Sequence, residues 1–348
     1  MSGSPRIDIR SLSMNDIAAF INKEGEAAFR TRQIYRWLWK DGVRSVDQMT
    51  NLPLSLKEIL SRSFDFLVTD EDVVRQSTDG TIKVAFRLHD GILIEGVLIP
   101  TEERTTACIS SQAGCALGCL FCATGLNGFY RNLTAQEMFD QIWLLNARSI
   151  SVFKRPLSNI VLMGMGEPLY NYKQVSRMIH IITDPKGWGL SPHRITLSTV
   201  GVPKMIKQLT DDKLPVHLAI SLHAASDELR GSLIPFNNRH PLQDLSEALR
   251  YYVDKSGNRF TIEYLLIRDT NDSVYHAGLL ADFCRSFPVK INIIEYNPVP
   301  GLPFQRAEIK RMKAFRDFLE SKNMVVNVRQ SRGKDIDAAC GQLAGKQP

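Results

Sequence analysis

The chain has 348 residues, of which 44% are hydrophobic and 23% are charged, a composition typical of one large globular domain or of a large domain with a smaller one. Its hydrophobic runs are too short or too charged to cross a bilayer, and its first ten residues lack the apolar core of a signal peptide. We therefore expect a cytoplasmic protein with no membrane partner. The formal net charge of +6 permits a nucleic-acid partner without requiring one. Six cysteines in a chain without a secretion signal predict metal binding or catalysis rather than a disulfide framework.

The first 104 residues predict a helical module followed by a β-hairpin. Short helical patterns fill residues 12–60, and residues 29–40 (FRTRQIYRWLWK) set Arg32, Arg36 and Lys40 on one stripe of a helix. Two strand patterns, TIKVAFRL and ILIEGVLI, then flank Asp90-Gly91, a pair typical of tight hairpin turns. We assign residues 1–70 to a helical accessory domain and residues 71–104 to the hairpin region.

From residue 105 onward, apolar strand patterns alternate with helical ones. The strands are TACIS, NIVLM, RITLS, VHLAIS, FTIEYLLI and INIIEYN, and a last strand, MVVNV, follows the final helix. One helix opens with a capping box, Thr134 to Glu137, and is predicted to end near Ala147. Six such β/α units predict an α/β fold, a partial (β/α)6 barrel over residues 105–330, with a tail over 331–348. Catalytic residues of such folds gather on the loops that follow the strands.

Three cysteines, Cys115, Cys119 and Cys122, lie in the loop after TACIS. A structural zinc site usually has four ligands in two pairs, and only Cys119 and Cys122 have the spacing of such a pair. Three soft thiolates in one loop suit an iron–sulfur cluster in which one iron has no protein ligand. The C-x3-C-x2-C spacing resembles the signature of the radical S-adenosylmethionine (SAM) superfamily, in which the open iron of a [4Fe-4S] cluster binds SAM. The resemblance implies both groups as cofactors.

Other polar residues fall at the ends of the predicted strands. The stretch Gly164-Met165-Gly166-Glu167 follows NIVLM; its glycines permit a close approach of the backbone, and its carboxylate suits a cationic amino group. It resembles the SAM-binding loop of the superfamily. By the same resemblance SAM would contact seven residues: Gly166, Glu167, Ser198, Ser221, Leu222, His223 and Asn297. Outside this context they are equally explained as caps or strand-end polar groups and, for His223, as a structural histidine.

The remaining cysteines have different settings. Cys340 lies in the tail among small residues, which predicts an accessible and reactive thiol. Cys108 lies on the strand that leads into the cysteine loop, where its side chain points into the barrel mouth or, alternatively, is simply buried. Cys284, in the amphipathic stretch HAGLLADFCRSF, is expected in the core.

Glu95 is a candidate base. It alternates with Leu93, Val97 and Ile99 on one face of its strand, and an apolar surrounding raises the proton affinity of a carboxylate. A salt-bridged or solvent-facing glutamate is the alternative, because an edge strand can be wetted.

The chain as a whole resembles one family, the RlmN-type radical SAM methyltransferases that act on adenine C2 in 23S rRNA, at the peptidyl transferase centre, and in tRNA, at position 37. The matching stretches are RTTACISSQAGCALGCLFCATG, GMGEP, ITLSTVG, AISLHA, EYNPVPG and DIDAACGQL, and FRTRQIYRWLW matches the family's N-terminal module. The resemblance implies that Cys340 carries the methyl group, that each turnover uses two SAM molecules, that Cys108 forms a transient disulfide with Cys340, and that Glu95 accepts a proton. It also implies two partners, an electron donor of the flavodoxin type and a thiol reductant. We expect a monomer, although nothing in the sequence determines the oligomeric state.

Three other functions stay open at this point: a related adenine-C8 methyltransferase of 23S rRNA that confers antibiotic resistance, a zinc-stabilised RNA-binding protein without catalysis, and a radical SAM enzyme for a small metabolite. The charge pattern does not choose among them. Basic groups at residues 32–40, 148–155 and 329–334 are explained equally well as phosphate contacts or as solvated charge.

Overall fold

The computed structural model describes residues 6–345, so the outermost parts of the predicted accessory domain and tail, residues 1–5 and 346–348, lie outside the described residues. Three helices come first along the chain: α1 (Met14–Lys23), α2 (Phe29–Trp39) and α3 (Leu54–Ser63). On α2 the side chains of Ile34 and Leu38 are buried, whereas Arg32, Arg36 and the adjoining Lys40 are exposed. The predicted basic stripe therefore faces outward.

A buried ion pair joins this helical segment to the rest of the molecule. Arg10 is 1% exposed, and its guanidinium lies 2.6 Å from Asp140 and 3.0 Å from Asp8. The Thr69 amide also donates to Asp140, at 3.0 Å. Because two carboxylates surround the guanidinium, its positive charge is compensated where it is buried.

Twelve strands occur within residues 6–345. They are β1 (Asp70–Gln76), β2 (Ile82–Arg87), β3 (Leu93–Pro100), β4 (Thr105–Cys108), β5 (Gln112–Gly114), β6 (Phe129–Asn132), β7 (Asn159–Leu162), β8 (Ile195–Thr199), β9 (His217–Ser221), β10 (Phe260–Leu266), β11 (Val289–Glu295) and β12 (Val325–Arg329). Ten form one sheet in the order β1-β2-β3-β4-β7-β8-β9-β10-β11-β12, and β5 pairs with β6 in a small separate sheet. The first three neighbouring pairs of the large sheet are antiparallel and all later pairs are parallel.

The predicted hairpin is confirmed as the β2–β3 pair. Arg87 pairs with Leu93, and the turn between them includes Gly91 with a φ of +84°, a left-handed conformation that favours glycine. The antiparallel strands β1, β2 and β3 extend the sheet beyond β4, on the side away from the parallel strands.

Helices connect the parallel strands. They are α4 (Ala123–Leu126), α5 (Ala135–Phe153), α6 (Tyr172–Thr183), α7 (Pro203–Asp211), α8 (Asp227–Leu233), α9 (Leu242–Ser256), α10 (Val274–Cys284) and α11 (Ile309–Ser321). The parallel strands β4 and β7 to β12 thus form six β/α units with a final strand, and this confirms the predicted partial barrel. No helix in the described part of the chain is long and apolar enough to span a membrane.

The predicted start of α5 is confirmed, but its predicted end is wrong. Thr134 and Glu137 form the expected capping box. The helix continues past Ala147 to Phe153 and ends where Lys154 adopts a left-handed conformation with φ of +56°. Arg148 to Phe153 contain no glycine or proline, so nothing local stops the helix before Pro156 approaches.

Candidate active site

The carboxyl ends of the parallel strands surround one cavity, which encloses about 1060 Å³ of space, part of it open to solvent. Side chains reach it from the loops after β4, β7, β8 and β9, from β10 and β11, and from the tail. This is the edge of the sheet where enzymes of such folds carry their catalytic residues.

The three cysteines of the loop all line this cavity. The loop is held at both ends, because the Cys115 amide donates to the Gly128 carbonyl at 2.7 Å and the Leu120 amide donates to the Leu233 carbonyl at 3.0 Å. Burial raises the pKa of the Cys115 thiol to about 12, and burial with the neighbouring thiols raises the pKa of Cys119 well above its ordinary value. These groups become stable thiolates only beside a strong positive charge such as a metal centre.

The donor set fits an iron–sulfur cluster. Three thiols from one loop face a single cavity that has room for a group larger than one ion. Among residues 6–345, no three side chains of His, Cys, Asp or Glu lie close enough together to hold a single metal ion, the arrangement that a structural zinc site requires. A four-iron cluster spreads its ligands over a larger volume.

The glycine loop after β7 packs closely against the loop after β4. A Cβ atom on Gly164 would lie 2.6 Å from the Ile109 carbonyl oxygen, and one on Gly166, where φ is +97°, would lie 2.4 Å from the Cβ of Gln112. Both positions therefore require glycine, and the close approach that the sequence predicts is present. Both glycines also line the cavity, where their backbone is bare toward a ligand.

Glu167 lines the cavity but already has protein partners. Its two carboxylate oxygens accept hydrogen bonds from the amides of Leu169 at 2.9 Å and Val200 at 3.0 Å. Burial raises the pKa of this carboxyl, and the hydrogen bonds oppose that effect. The side chain ties the loop after β7 to the end of β8 and keeps acceptor capacity for a further donor.

His223 has a defined hydrogen-bonding state. The Leu265 amide donates to its Nδ1 at 3.1 Å, so the neutral ring carries its proton on Nε2. Burial, and secondarily the charge of Arg230, lowers the pKa of His223 to about 3, which keeps the ring neutral. The Phe121 ring packs edge-on against it with centroids 5.0 Å apart, and His223 lines the cavity.

The other predicted SAM contacts divide into two groups. Ser198 and Ser221 line the cavity, and their hydroxyl oxygens lie 3.2 Å apart. Leu222 and Asn297 are buried and are not among the residues that line it. The amide nitrogen of Asn297 donates to the Cys340 carbonyl at 3.4 Å, and its amide oxygen has no hydrogen-bond partner in the described chain. A buried oxygen atom without a hydrogen-bond partner is an available acceptor for a ligand.

Cys340 lies in the same cavity as the three loop cysteines. Its side chain is exposed to the cavity, as predicted, while the surrounding protein raises the pKa of its thiol by desolvation and Arg329 opposes that effect. Cys108 is 7% exposed, and burial raises the pKa of its thiol to about 12, with a further contribution from the nearby Cys340. Cys284 is 2% exposed in the core, as expected.

Glu95 does not have the apolar surrounding that its strand pattern predicts. Its carboxylate lies 2.9 Å from the Lys83 ammonium and accepts a hydrogen bond from the Ala344 amide at 2.8 Å. The two side chains are 12% and 10% exposed. The pattern on β3 could not show this, because the partner comes from β2. Glu95 lines a second cavity, of about 1290 Å³ and partly open to solvent, which the tail residues Gln342 and Ala344 also line.

Two cavity residues were not expected from the sequence. Glu263, 4% exposed, accepts hydrogen bonds from Asn292 at 2.9 Å and pairs with Arg329 at 3.3 Å. Tyr296 is 1% exposed and its buried hydroxyl has no partner within residues 6–345. A charged residue inside the apolar strand FTIEYLLI was a usable signal for Glu263. Tyr296 directly precedes Asn297 and carried no separate signal.

Several predicted phosphate contacts have carboxylate partners instead. Arg148 pairs with Glu71, Lys334 with Glu295, and Arg329 with Glu263. Their charges are at least partly compensated, whereas Arg32 and Lys40 on the helical stripe are exposed.

Comparison with known proteins gives a consistent result. Residues 109–277 match the model of the radical SAM superfamily, and residues 7–65 match the model described as the ribosomal RNA large subunit methyltransferase N-terminal domain. The chain is 49% identical over 339 residues to the probable dual-specificity RNA methyltransferase RlmN of Christiangramia forsetii. The aligned region covers 97% of this chain and 96% of that protein. It is 41% identical over 346 residues to the dual-specificity RNA methyltransferase RlmN of an Anaeromyxobacter species, with 98% and 92% covered. A crystal structure of a radical SAM methyltransferase from Sphaerobacter thermophilus superposes with a TM-score of 0.93 at 40% identity and covers 98% of this chain and all of that one (100%).

Proposed function

The chain belongs to the RlmN family of radical SAM RNA methyltransferases, and from this premise we propose that it transfers a methyl-derived carbon to C2 of adenine in 23S rRNA, at the peptidyl transferase centre, and in tRNA, at position 37. The proposal includes two SAM molecules per turnover and a cytoplasmic location, where both RNAs are found. The proposed function rests mainly on one structural observation. Cys340 of the tail and the three loop cysteines line the same cavity.

The chemistry of the substrate explains why these groups are needed together. Adenine C2 is an electron-poor carbon without a nucleophilic lone pair, so it cannot displace the methyl group of SAM directly. A thiolate can, and the accessible Cys340 would take the methyl carbon from a first SAM. Cys115, Cys119 and Cys122 would hold a [4Fe-4S] cluster, which would supply the electron for cleavage of a second SAM, the chemistry that activates the methyl carbon on Cys340 toward C2.

Residues around the cavity would hold and orient SAM. Gly166 offers bare backbone, Glu167 offers acceptor capacity for the amino group, and the hydroxyls of Ser198 and Ser221 suit the ribose. The Nε2–H group of His223 is a donor for the carboxylate or the adenine. Leu222, whose side chain is buried, would contribute through its backbone, and Asn297 through its unpartnered amide oxygen.

Release of the product would use the remaining predicted residues. After carbon transfer the RNA is joined to Cys340, so C2 must lose a proton and the carbon–sulfur bond must break. Glu95 would accept the proton. In the present arrangement its carboxylate is held by Lys83 and by the Ala344 amide, so the tail has to shift before Glu95 meets the base. The Cys108 thiolate would then attack the Cys340 sulfur and form a disulfide. The electron pair of the broken carbon–sulfur bond would stay on the carbon, which takes up a proton and becomes the methyl group, and a thiol reductant reopens the disulfide. A flavodoxin-type protein would donate electrons to the cluster.

The test is direct. The anaerobically reconstituted protein is incubated with SAM, a reductant and total RNA from cells that lack this methylation, and the nucleosides are identified by mass spectrometry. We expect 2-methyladenosine in both rRNA and tRNA. Formation of 8-methyladenosine without the C2 product would contradict the assignment and favour the adenine-C8 class.

Two variants check the cysteine roles in the same assay. Cys340→Ala should give no methylated product, because the carbon carrier is missing, whereas a radical SAM enzyme for small metabolites would keep its activity. Cys108→Ala should form the carbon–carbon bond but accumulate protein covalently joined to RNA. A protein that binds zinc and no iron or sulfide would rule out catalysis by this route.

A further inference from the structure

Arg230 is a buried cation without an anionic partner in the described chain. The residue is 0% exposed and lies on α8. Its guanidinium donates only to neutral acceptors: Nε to the Leu222 carbonyl at 3.1 Å, Nη1 to the Asn237 amide oxygen at 2.7 Å, and Nη2 to the Val200 carbonyl and, at 3.5 Å, to the Ser221 carbonyl. Burial lowers the pKa of Arg230 to about 10, which still leaves it protonated at neutral pH.

The nearby acid does not compensate this charge by contact. Asp227 begins the same helix, but its carboxylate accepts hydrogen bonds from the Asn237 amide group and the Leu242 amide, each at 2.8 Å. Arg10, by contrast, contacts two carboxylates, so its buried positive charge is compensated within the protein. A buried charge left without a counterion is costly, so such a site is normally balanced by another group.

The position of Arg230 indicates what that group is. Helix α8 contacts the cysteine loop through the hydrogen bond from the Leu120 amide to the Leu233 carbonyl. Arg230 lies three residues before Leu233 on this helix, so its positive charge is held near the cysteine loop. There it opposes the rise in the pKa of Cys119 that burial and the neighbouring thiols cause. When held by the three cysteine thiolates, a [4Fe-4S] cluster would form a group of net negative charge and would supply the counterion that the described side chains in contact with Arg230 do not.

We propose that Arg230 is a positioning residue with two separable actions: its charge balances the cysteine-bound cluster, and its three-way hydrogen bonding aligns the strand-end loops that hold SAM. The second action follows from its partners. Val200, whose carbonyl it binds, donates its amide to Glu167 at 3.0 Å, and Leu222 lies between Ser221 and His223. The inference rests on the proposed function, because it requires the cluster and SAM.

The two actions predict different responses to substitution. A nearby positive charge stabilises the more negative, reduced cluster and raises its reduction potential. R230Q removes the charge and should shift the midpoint potential to a more negative value, whereas R230K keeps the charge and should leave the potential near that of the wild type. Neither side chain can bind Val200, Leu222 and Asn237 together. Both variants should therefore weaken SAM binding, by about tenfold for the loss of one charged hydrogen bond.

The experiment uses the full chain, reconstituted anaerobically. Iron and sulfide content establish the cluster, a redox titration followed by electron paramagnetic resonance gives the midpoint potential, and equilibrium dialysis gives the dissociation constant of SAM. Only protein with a cluster contributes to the potential, so partial misfolding does not imitate the effect. If R230Q yields no folded protein, R230M tests the same action by removing the charge with an apolar side chain of similar length, and it should also make the potential more negative.

The outcomes separate this inference from the proposed function. A purely structural Arg230 would lower the melting temperature of R230Q but leave the potential of the remaining holoprotein unchanged, and that result would overturn the charge action. Equal shifts of the midpoint potential in R230Q and R230K would also overturn the charge action of Arg230. A wild-type chain that binds no iron and sulfide would instead refute the proposed function and the inference with it.

Discussion

Cys340 combines exposure to the cavity with surroundings that disfavour its thiolate. Desolvation raises the pKa of the thiol, and the guanidinium of Arg329 is the main group that lowers it. Arg329 is itself held in place by Glu263 at 3.3 Å. A thiol attacks as its thiolate, so Arg329, which the sequence suggested only as a phosphate contact, would favour the reactive form of Cys340 in the proposed methyl transfer.

This explanation predicts a change in thiol reactivity. R329Q removes the cation and raises the pKa of Cys340 further, so the thiolate fraction at a given pH falls. Alkylation of Cys340 by iodoacetamide, followed by mass spectrometry of its peptide, should slow by about tenfold at pH 8, because a nearby opposite charge shifts a pKa by about one unit or more. The rate profile should move to higher pH. R329K, which keeps the charge, is the matched control, and equal rates in all three proteins would refute the role of Arg329.

At the scale of elements, the antiparallel extension serves as a support for the tail. The Asp335 carboxylate accepts a hydrogen bond from Ser77, Lys83 donates to the Asp337 carbonyl at 3.1 Å, and Glu95 accepts from the Ala344 amide at 2.8 Å. Lys83 and Glu95 also pair with each other. Strands β2 and β3, with the turn that precedes β2, therefore help to position the segment that carries Cys340.

Breaking this support should loosen the tail. K83M leaves Glu95 without its cation in a largely buried place and removes the bond to Asp337. We expect faster amide hydrogen exchange over residues 337–345, with less effect on β2 and β3 themselves. In the double variant K83M/E95Q no uncompensated charge remains, so exchange should recover in part. K207M, at an exposed lysine of α7, is the control. Unchanged exchange in K83M would show that the tail is held by its other contacts alone.

At the scale of the whole molecule, the accessory helices are tied to the barrel by charge as well as by apolar packing. Arg10 reaches Asp140 of α5 from a part of the chain 130 residues earlier. Because the pair is buried, removal of one partner leaves an uncompensated charge.

This tie is testable by equilibrium unfolding. R10M leaves the buried carboxylates of Asp8 and Asp140 without their shared cation and should lower the free energy of unfolding by about 3–5 kcal/mol, the range for breaking one side of a buried pair, as measured by urea titration. The double variant R10M/D140A should be less unstable than the sum of the two single variants, since only Asp8 then remains uncompensated. D317A, which removes the partner of the exposed Arg316 on α11, should have little effect. An R10M protein as stable as the wild type would contradict the importance of the ion pair.

The local patterns of the sequence determined a large part of this protein. The alternation of strand and helix patterns predicted the six β/α units, Asp90-Gly91 predicted the hairpin, and the cysteine spacing predicted which thiols share one cavity. Each of these depends on residues close together in the chain, where hydrophobic period and turn preference act directly. The end of α5 was missed for the same reason, because no local stop signal is present.

Only the tertiary structure decided which groups meet across strands. Lys83 reaches Glu95 diagonally across the β2–β3 pair, in which Lys83 lies opposite Val97 and Glu95 opposite Ala85. Arg329 reaches Glu263 from two strands away, and Arg230 is buried among neutral acceptors without a carboxylate in contact. The electrostatic state of a side chain depends on the neighbours that folding brings to it, and these come from parts of the chain as far as 258 residues apart, as for Ser77 and Asp335. A pattern within one strand records its burial but not the charge of the residue that will face it.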